Sequence, residues 1–427
     1  MRSPSTIPMT SAVAAWSTLA ILSGLNMLNY LDRYVMSAVL TPMQKELRLD
    51  DGAAGSVASA FMLGYFLSAP IFGYLGDRYP RKYLMLGGVM VWSLATAGSG
   101  FVHGFTHLFI IRIFVGVGEA CFVTMGPSWI SDLFAATRRN TALTLFYVAI
   151  PFGSAIGFTI GGWFAQQGDW RHAFIYAGLP GVLLALSLLL LREPQRGEAD
   201  GVEGQVANNP KATWAEIFGL LLNRRYSLLV WGYAAQTFAL GAFGIWGPAF
   251  LNRIHQLPLG YSSTIFGEML AGTGLVATLF GGFLATRLRK RTPAGYAWLM
   301  ASSMAIAAPI CFFALTVGNS TLSLVGLGVS MFFLFLPTGP ICTQMFEVVP
   351  VHLRANAMAL CTFIIHLFGD WRSPAIVGNV SDHFTNISEH VDGLQKGVLI
   401  LPAMLVIGTV LWGFLIRYIR EPLKVEA

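Results

Sequence analysis

Long apolar runs alternate with short polar breaks along the whole chain. Windows of about 20 residues predict apolar helices at 14–40, 53–76, 83–103, 106–130, 141–167 and 172–191, then at 226–252, 262–286, 293–317, 320–347, 356–378 and 395–418. A helix rises about 1.5 Å per residue, so each run can cross about 30 Å of hydrocarbon. The pattern predicts an all-α membrane protein with twelve transmembrane helices in two pseudo-symmetric six-helix bundles. Residues 192–225 form the long polar stretch between them, a linker separating a first bundle (1–191) from a second (226–427). Within it, Thr213 and Glu216 have the spacing of a capping box, which predicts a short surface helix. The first apolar run is too long for a cleaved signal and reads as a retained helix.

Composition narrows the classes further. Of 427 residues, 55% are hydrophobic and only 11% charged, which excludes a soluble enzyme or a nucleic-acid-binding domain. A net charge of +6 would suit a polyanion, but the basic residues sit in short loops where they set topology. Placing both termini in the cytoplasm puts 19 basic residues inside and six outside (Lys45, Arg48, Arg171, Arg253, Arg372 and Lys396). That asymmetry predicts a multi-pass protein of a bacterial inner membrane with cytoplasmic termini. Cys121, Cys311, Cys342 and Cys361 lie in apolar stretches without metal-ligand spacing, so neither a metal nor a disulfide framework is expected.

The halves also repeat. GYLGDRYPRK (Gly73 to Lys82) aligns without gaps on GFLATRLRKR (Gly282 to Arg291), with Thr286 standing opposite Asp77. MGPSWISDLF and the following RRNTALTL recur as TGPICTQMFE and LRANAMAL. Two parallel six-helix repeats are the architecture of an alternating-access carrier with its site between the repeats.

GYLGDRYPRK resembles the loop motif of the major facilitator superfamily, with Pro80 in place of the usual glycine. NYLDRYVMSAVL (Asn29 to Leu40), APIFGYLGDR (Ala69 to Arg78), RIFVGVGEACF (Arg112 to Phe122) and FYVAIPFGSAIG (Phe146 to Gly157) together resemble the Spinster group of that superfamily. The second half matches through IIHLFGD (Ile364 to Asp370), Pro374 and Gly378. The resemblance implies a secondary transporter, proton-coupled or otherwise, of lipid-like amphiphiles. It also implies that the Gly73, Asp77, Arg78, Arg81 and Lys82 motif latches the cytoplasmic gate, with Asp77 pairing across the halves. Asp132 and Arg139 form a similar cytoplasmic cluster.

An ionisable side chain at membrane depth costs roughly 2.5 to 3.5 kcal/mol on insertion scales, so each one is a functional candidate. Five stand out: Asp32 and Arg33 in the first span, Arg112 and Glu119 in the fourth, and Asp370 in the eleventh. Arg112 and Glu119 are seven residues apart, which leaves them about 20° from the same helix face. The geometry allows an Asp32–Arg112 ion pair. Asn26, Asn29 and Arg33 extend a polar stripe at i, i+3 and i+7. The expected roles are proton coupling for Asp32 and Glu119 and substrate binding for Arg33, Arg112, Asn26 and Asn29. His366 and Asp370, four residues apart, are a candidate proton relay. Phe332, Phe335 and Trp246 are expected to form an apolar wall opposite the charges. Fixed ion pairs locking the helices together are the structural alternative.

No HExxH, GxSxG or Walker lysine motif occurs, so no enzyme is expected. A filter-like loop is also missing, which argues against a channel. The sequence thus predicts a monomeric transporter that needs no cofactor beyond the proton gradient and moves a small amphiphilic or anionic substrate through the bilayer. An organic-anion/proton symporter or a multidrug/proton antiporter is the alternative.

Overall fold

Backbone in hydrocarbon has to satisfy its N–H and C=O groups internally, and the described residues do so with helices and no strands. The computed structural model describes residues 12–196, 198–200, 213–350, 353–387 and 392–420. The first half comprises α1 (Ala12–Ala38), the short α2 (Leu40–Leu47), α3 (Asp51–Arg78), α4 (Arg81–Gly98), α5 (Phe105–Leu133), α6 (Ala136–Gln166) and α7 (Trp170–Ser187). In the connecting segment, α8 (Trp214–Gly219) opens on the expected capping box: Thr213 accepts from the Glu216 N–H, and Glu216 accepts from the Thr213 N–H.

The second half comprises α9 (Arg224–Arg253), α10 (Leu259–Arg291), α11 (Gly295–Thr316), α12 (Ser320–Phe335), α13 (Thr338–Val348), α14 (Arg354–Ile365), α15 (Ser373–Ile387), α16 (Leu394–Val398) and α17 (Ile400–Arg420). Among the described residues, eleven helical stretches have the length and apolarity of a membrane span. The remaining predicted span, 356–378, is interrupted: a π turn over His366–Asp370 separates α14 from α15. Its helix also continues past 378 to Ile387. Asn379, Ser381, Asp382 and His383 lie beyond the apolar window yet keep the helical backbone.

The motif at Gly73 to Lys82 is less of a loop than its sequence suggests. Gly73 to Arg78 are the last turns of α3, and α4 restarts at Arg81. Pro80 lacks an N–H and keeps Tyr79 extended, so the break falls there. The matching Gly282 to Arg291 segment has no proline and stays helical throughout.

Close helix crossings join these elements. On α6, a Cβ at Gly157 would meet the Leu31 carbonyl oxygen at 2.5 Å, so only glycine lets α1 pass this closely. The halves meet along α3–α15, α6–α10 and α1–α9. These contacts favour one end of the molecule, where Gly52 and Asp51 abut Asp382, Asn379 and Gly378, and Gly162 abuts Ser263. At the other end, the contacts of Arg81, Lys82 and Arg289 stay within one half. Arg81 and Lys82 bond groups of the first half and its connecting segment, whereas Arg289 pairs with Glu347 in the second. The structure is thus closed at the Asp51 end and parted at the Arg81 end.

Candidate functional site

The α1 sequence places Asn26, Asn29, Asp32 and Arg33 toward α4, α5 and α6. Asn26 donates to the Phe146 carbonyl on α6 at 2.9 Å. Adjacent residues on a helix point about 100° apart, so Asp32 and Arg33 reach different neighbours. Arg33 binds Glu119 of α5 at 2.9 Å; the Glu119 side chain is fully buried and that of Arg33 is 22% exposed. Three aromatic rings cage the Arg33 guanidinium, with centroids at 4.8 Å (Tyr30), 4.7 Å (Phe61) and 5.7 Å (Tyr65).

Asp32 is buried beside Glu119, Arg112, Trp92 and Thr96. The Trp92 N–H and Thr96 hydroxyl face its carboxylate without closing to hydrogen bonds. The Asp32–Arg112 ion pair allowed by the sequence does not form. Arg112 is 2% exposed and lies over Phe61, 5.1 Å from the ring centroid, with its Nε and Nη1 unpartnered. The Asn29 amide likewise faces Glu119 without closing. The cluster therefore holds two acids and two arginines, balanced in charge, with one close pair and several buried polar groups left open. Groups buried without partners are costly; here they surround an ion pair that is partly open.

The π turn places His366 and Asp370 side by side, with Nδ1 3.0 Å from both carboxylate oxygens. Asp370 packs on Gly241 of α9. The His366 ring is 6.0 Å from that of Tyr65, so this pair reaches the aromatic cage from the second half.

The expected apolar wall does not form one surface. Trp246 is fully buried and donates to the Pro374 carbonyl at 3.0 Å, a helix-packing role. Phe332 lines an apolar groove of about 610 Å³ between α10 and α12, while Phe335 packs over Gly274. The i, i+3 spacing of Phe332 and Phe335 does put both against α10, but nothing in the sequence separated that face from the one Trp246 takes.

Of the gate residues, Arg81 bonds Asp132 at 2.6 Å, Ser128 at 3.2 Å and Glu193 at 3.4 Å. Lys82 donates to the Leu189 and Leu191 carbonyls, and Arg139 to those of Ser131 and Phe134. Arg78 is exposed and stacks on Tyr74, and Gly73 meets Thr124 in ordinary contact. These contacts brace the first half internally; pairing across the halves was the expectation for Asp77. The Asp77 side chain lies outside the described residues.

Sequence reasoning missed a network at the closed end. Asp51, first residue of α3, binds Arg253 at the end of α9 at 2.7 Å, and Arg253 also binds Asp392 at 2.6 Å. Asp382 accepts from the Asp51 and Gly52 N–H groups at 2.9 and 2.6 Å. The network crosses the halves; of its members the sequence marks only Arg253, as an outward-facing basic residue.

The Major Facilitator Superfamily family model matches residues 22–369. The chain is 34% identical over 382 residues to Protein spinster homolog 1 of Bos taurus, covering 85% of this chain and 72% of that one. It is 33% identical over 451 residues to Protein spinster homolog 3 of Danio rerio, covering 99% and 89%. The chain belongs to the Spinster family of the major facilitator superfamily. Among solved structures, a bacterial homologue of the human lysosomal transporter Spinster, inward-facing and unoccupied, superposes with a TM-score of 0.87 at 23% identity, covering 97% and 100% of the chains. A D-xylose-proton symporter superposes at 0.71 and 17% identity, covering 94% and 97%. Both likenesses show the fold. As a Spinster-family member the chain is a multi-pass membrane transporter of small molecules and not an enzyme, and its buried charges lie in the first half of a carrier.

Proposed function

We propose that the protein is a proton-coupled carrier of an amphiphilic anion, with Arg33 as the head-group ligand and Glu119 and Asp32 as the proton sites. The observation that carries this reading is the partly open Arg33–Glu119 pair inside an aromatic cage. A head group bearing phosphate or carboxylate competes with Glu119 for the planar guanidinium fork. Glu119, once released in a buried site, takes up a proton, so substrate and proton favour each other's binding. Arg112, which is closed off behind Phe61, balances Asp32 and holds the local charge near zero. The rings of Tyr30, Phe61 and Tyr65 suit a head group carried on an apolar body better than a fully hydrated small anion. His366 and Asp370 offer the proton a second stop on the opposite half.

The parted end carries Arg78, Arg81, Lys82, Arg289 and Arg354, and the positive-inside bias supports assigning it to the cytoplasm. On that assignment the structure is inward-open, with cytoplasmic termini, in a bacterial inner membrane. The chain acts as a monomer, since its site lies between its own halves. The Gly73 to Lys82 motif then latches the cytoplasmic end when the halves close there.

Reconstituted liposomes offered lysophospholipids, sphingoid phosphates and small organic anions, with internal pH recorded, test the substrate class. The reading expects transport of the amphiphiles and competition among them. Transport of small carboxylates unaffected by lysolipids would favour an organic-anion symporter instead.

A further inference from the structure

A pocket of about 270 Å³ opens beside the α3–α15 seam, separate from the central cluster. Ser56, Ser59 and Leu63 of α3 form one side, and Arg372, Ile376 and Asn379 the other. Ser59 is eight residues into α3, about 12 Å along the helix from its start, and Asn379 lies against Gly52 at that start, so the pocket runs from the outer end of the span into it. Arg372 is exposed, and no carboxylate lies within ion-pair distance of it among the described residues; its neighbour is the Trp371 ring, with its centroid at 5.0 Å. An arginine at this depth needs an anion or a route to the interface.

The serines give a second, independent sign. Ser56 and Ser68 satisfy themselves on the carbonyls four residues back, at 2.8 and 2.7 Å. Ser59, on the same helix, is 7% exposed and its hydroxyl has no partner. A cation, an unpartnered buried hydroxyl and the exposed Asn379 amide thus line one pocket whose remaining lining, Ser56 apart, is apolar.

We infer that this pocket binds the phosphate of a bilayer diacyl phospholipid, with Arg372 as its cation, and thereby holds the α3–α15 seam closed. The apolar lining from Leu63 and Ile376 commits the site to a lipid over a soluble phosphate. Because the two halves each supply one side, the complete pocket exists only while the seam is shut, and a ligand that binds one state draws the population toward it.

The test titrates the purified full chain with dioleoylphosphatidylglycerol, with phosphate-free monogalactosyl diacylglycerol and with glycerophosphate, and counts bound molecules by native mass spectrometry. Phosphatidylglycerol is expected to bind about tenfold more tightly to wild type than to Arg372→Gln, with Ser59→Ala between them, whereas the galactolipid treats all three alike. Ser59→Ala removes one oxygen and keeps the test intact if Arg372→Gln fails to fold. Equal phosphatidylglycerol binding by wild type and the variants overturns the site, and glycerophosphate binding with the same Arg372 dependence overturns the lipid assignment. In nanodiscs, phosphatidylglycerol should shorten the distance between labels on Lys45 of α2 and Asn386 of α15, both exposed and outside the pocket, in a protein otherwise wild type. An unchanged distribution overturns the seam-closing role.

Discussion

Arg33 holds Glu119 at 2.9 Å, while its sequence neighbour Asp32 faces away toward α4 with neither carboxylate oxygen hydrogen-bonded. One turn of α1 thus gives the two charges different work: Arg33 is partly open to a visitor and Asp32 is buried.

If Arg33 grips the head group, Arg33→Lys should lose substrate affinity nearly as far as Arg33→Ala, about tenfold or more, because an ammonium cannot supply the planar fork. Arg112→Lys should keep near-normal transport, since a single positive charge is enough to balance Asp32. Binding titrations of the four proteins decide this. Normal affinity in Arg33→Lys would return the head group to another residue.

Arg33→Ala also strands a buried carboxylate, and breaking such a pair costs about 3 kcal/mol or more. Its melting temperature should fall, and Arg33→Ala with Glu119→Gln should recover most of the loss without recovering substrate binding. Recovery of both would make the pair structural only.

At the closed end, Asp51→Asn leaves Arg253 with Asp392 alone and weakens the tie between the halves. Hydrogen bonds to charged groups contribute about 1.5 to 3 kcal/mol, so the ratio of closed to open at this end should drop about tenfold or more. Distances between spin labels on the two halves measure that ratio. An unchanged distribution would mean that the close glycine packing, not the charges, shuts this end.

Much of this architecture was legible in the sequence because hydrocarbon thickness sets helix length, and runs such as 106–130 and 320–347 meet it without ambiguity. The charged cluster was legible for the same reason, since Asp32, Arg33, Arg112 and Glu119 interrupt otherwise apolar spans. Their pairing was not, because it depends on the rotation of α1, and a rotation of about 100° exchanges Asp32 for Arg33. The π turn at His366 was hidden because a helix with i to i+5 bonds has no hydropathy signature. The link of Arg253 to Asp51 and Asp392 was not legible, since nothing local connects residues brought together only by packing of the halves.

Arg81 braces the other end by bonding Asp132 and Glu193 while itself buried. Arg81→Ala should remove the guanidinium that joins Asp132 to Glu193 and lower the melting temperature by several degrees, with little change in the labels at the Asp51 end. A shift there instead would show that this brace also governs the opposite gate.

Proton movement with substrate tests the central claim most directly. Liposomes loaded with a pH-sensitive dye and given a lysophospholipid should show an internal pH change for wild type that is absent in Glu119→Gln, while that variant still exchanges substrate across the membrane without a gradient. A pH change of normal size in Glu119→Gln, or a wild type that moves substrate with none, would contradict the account.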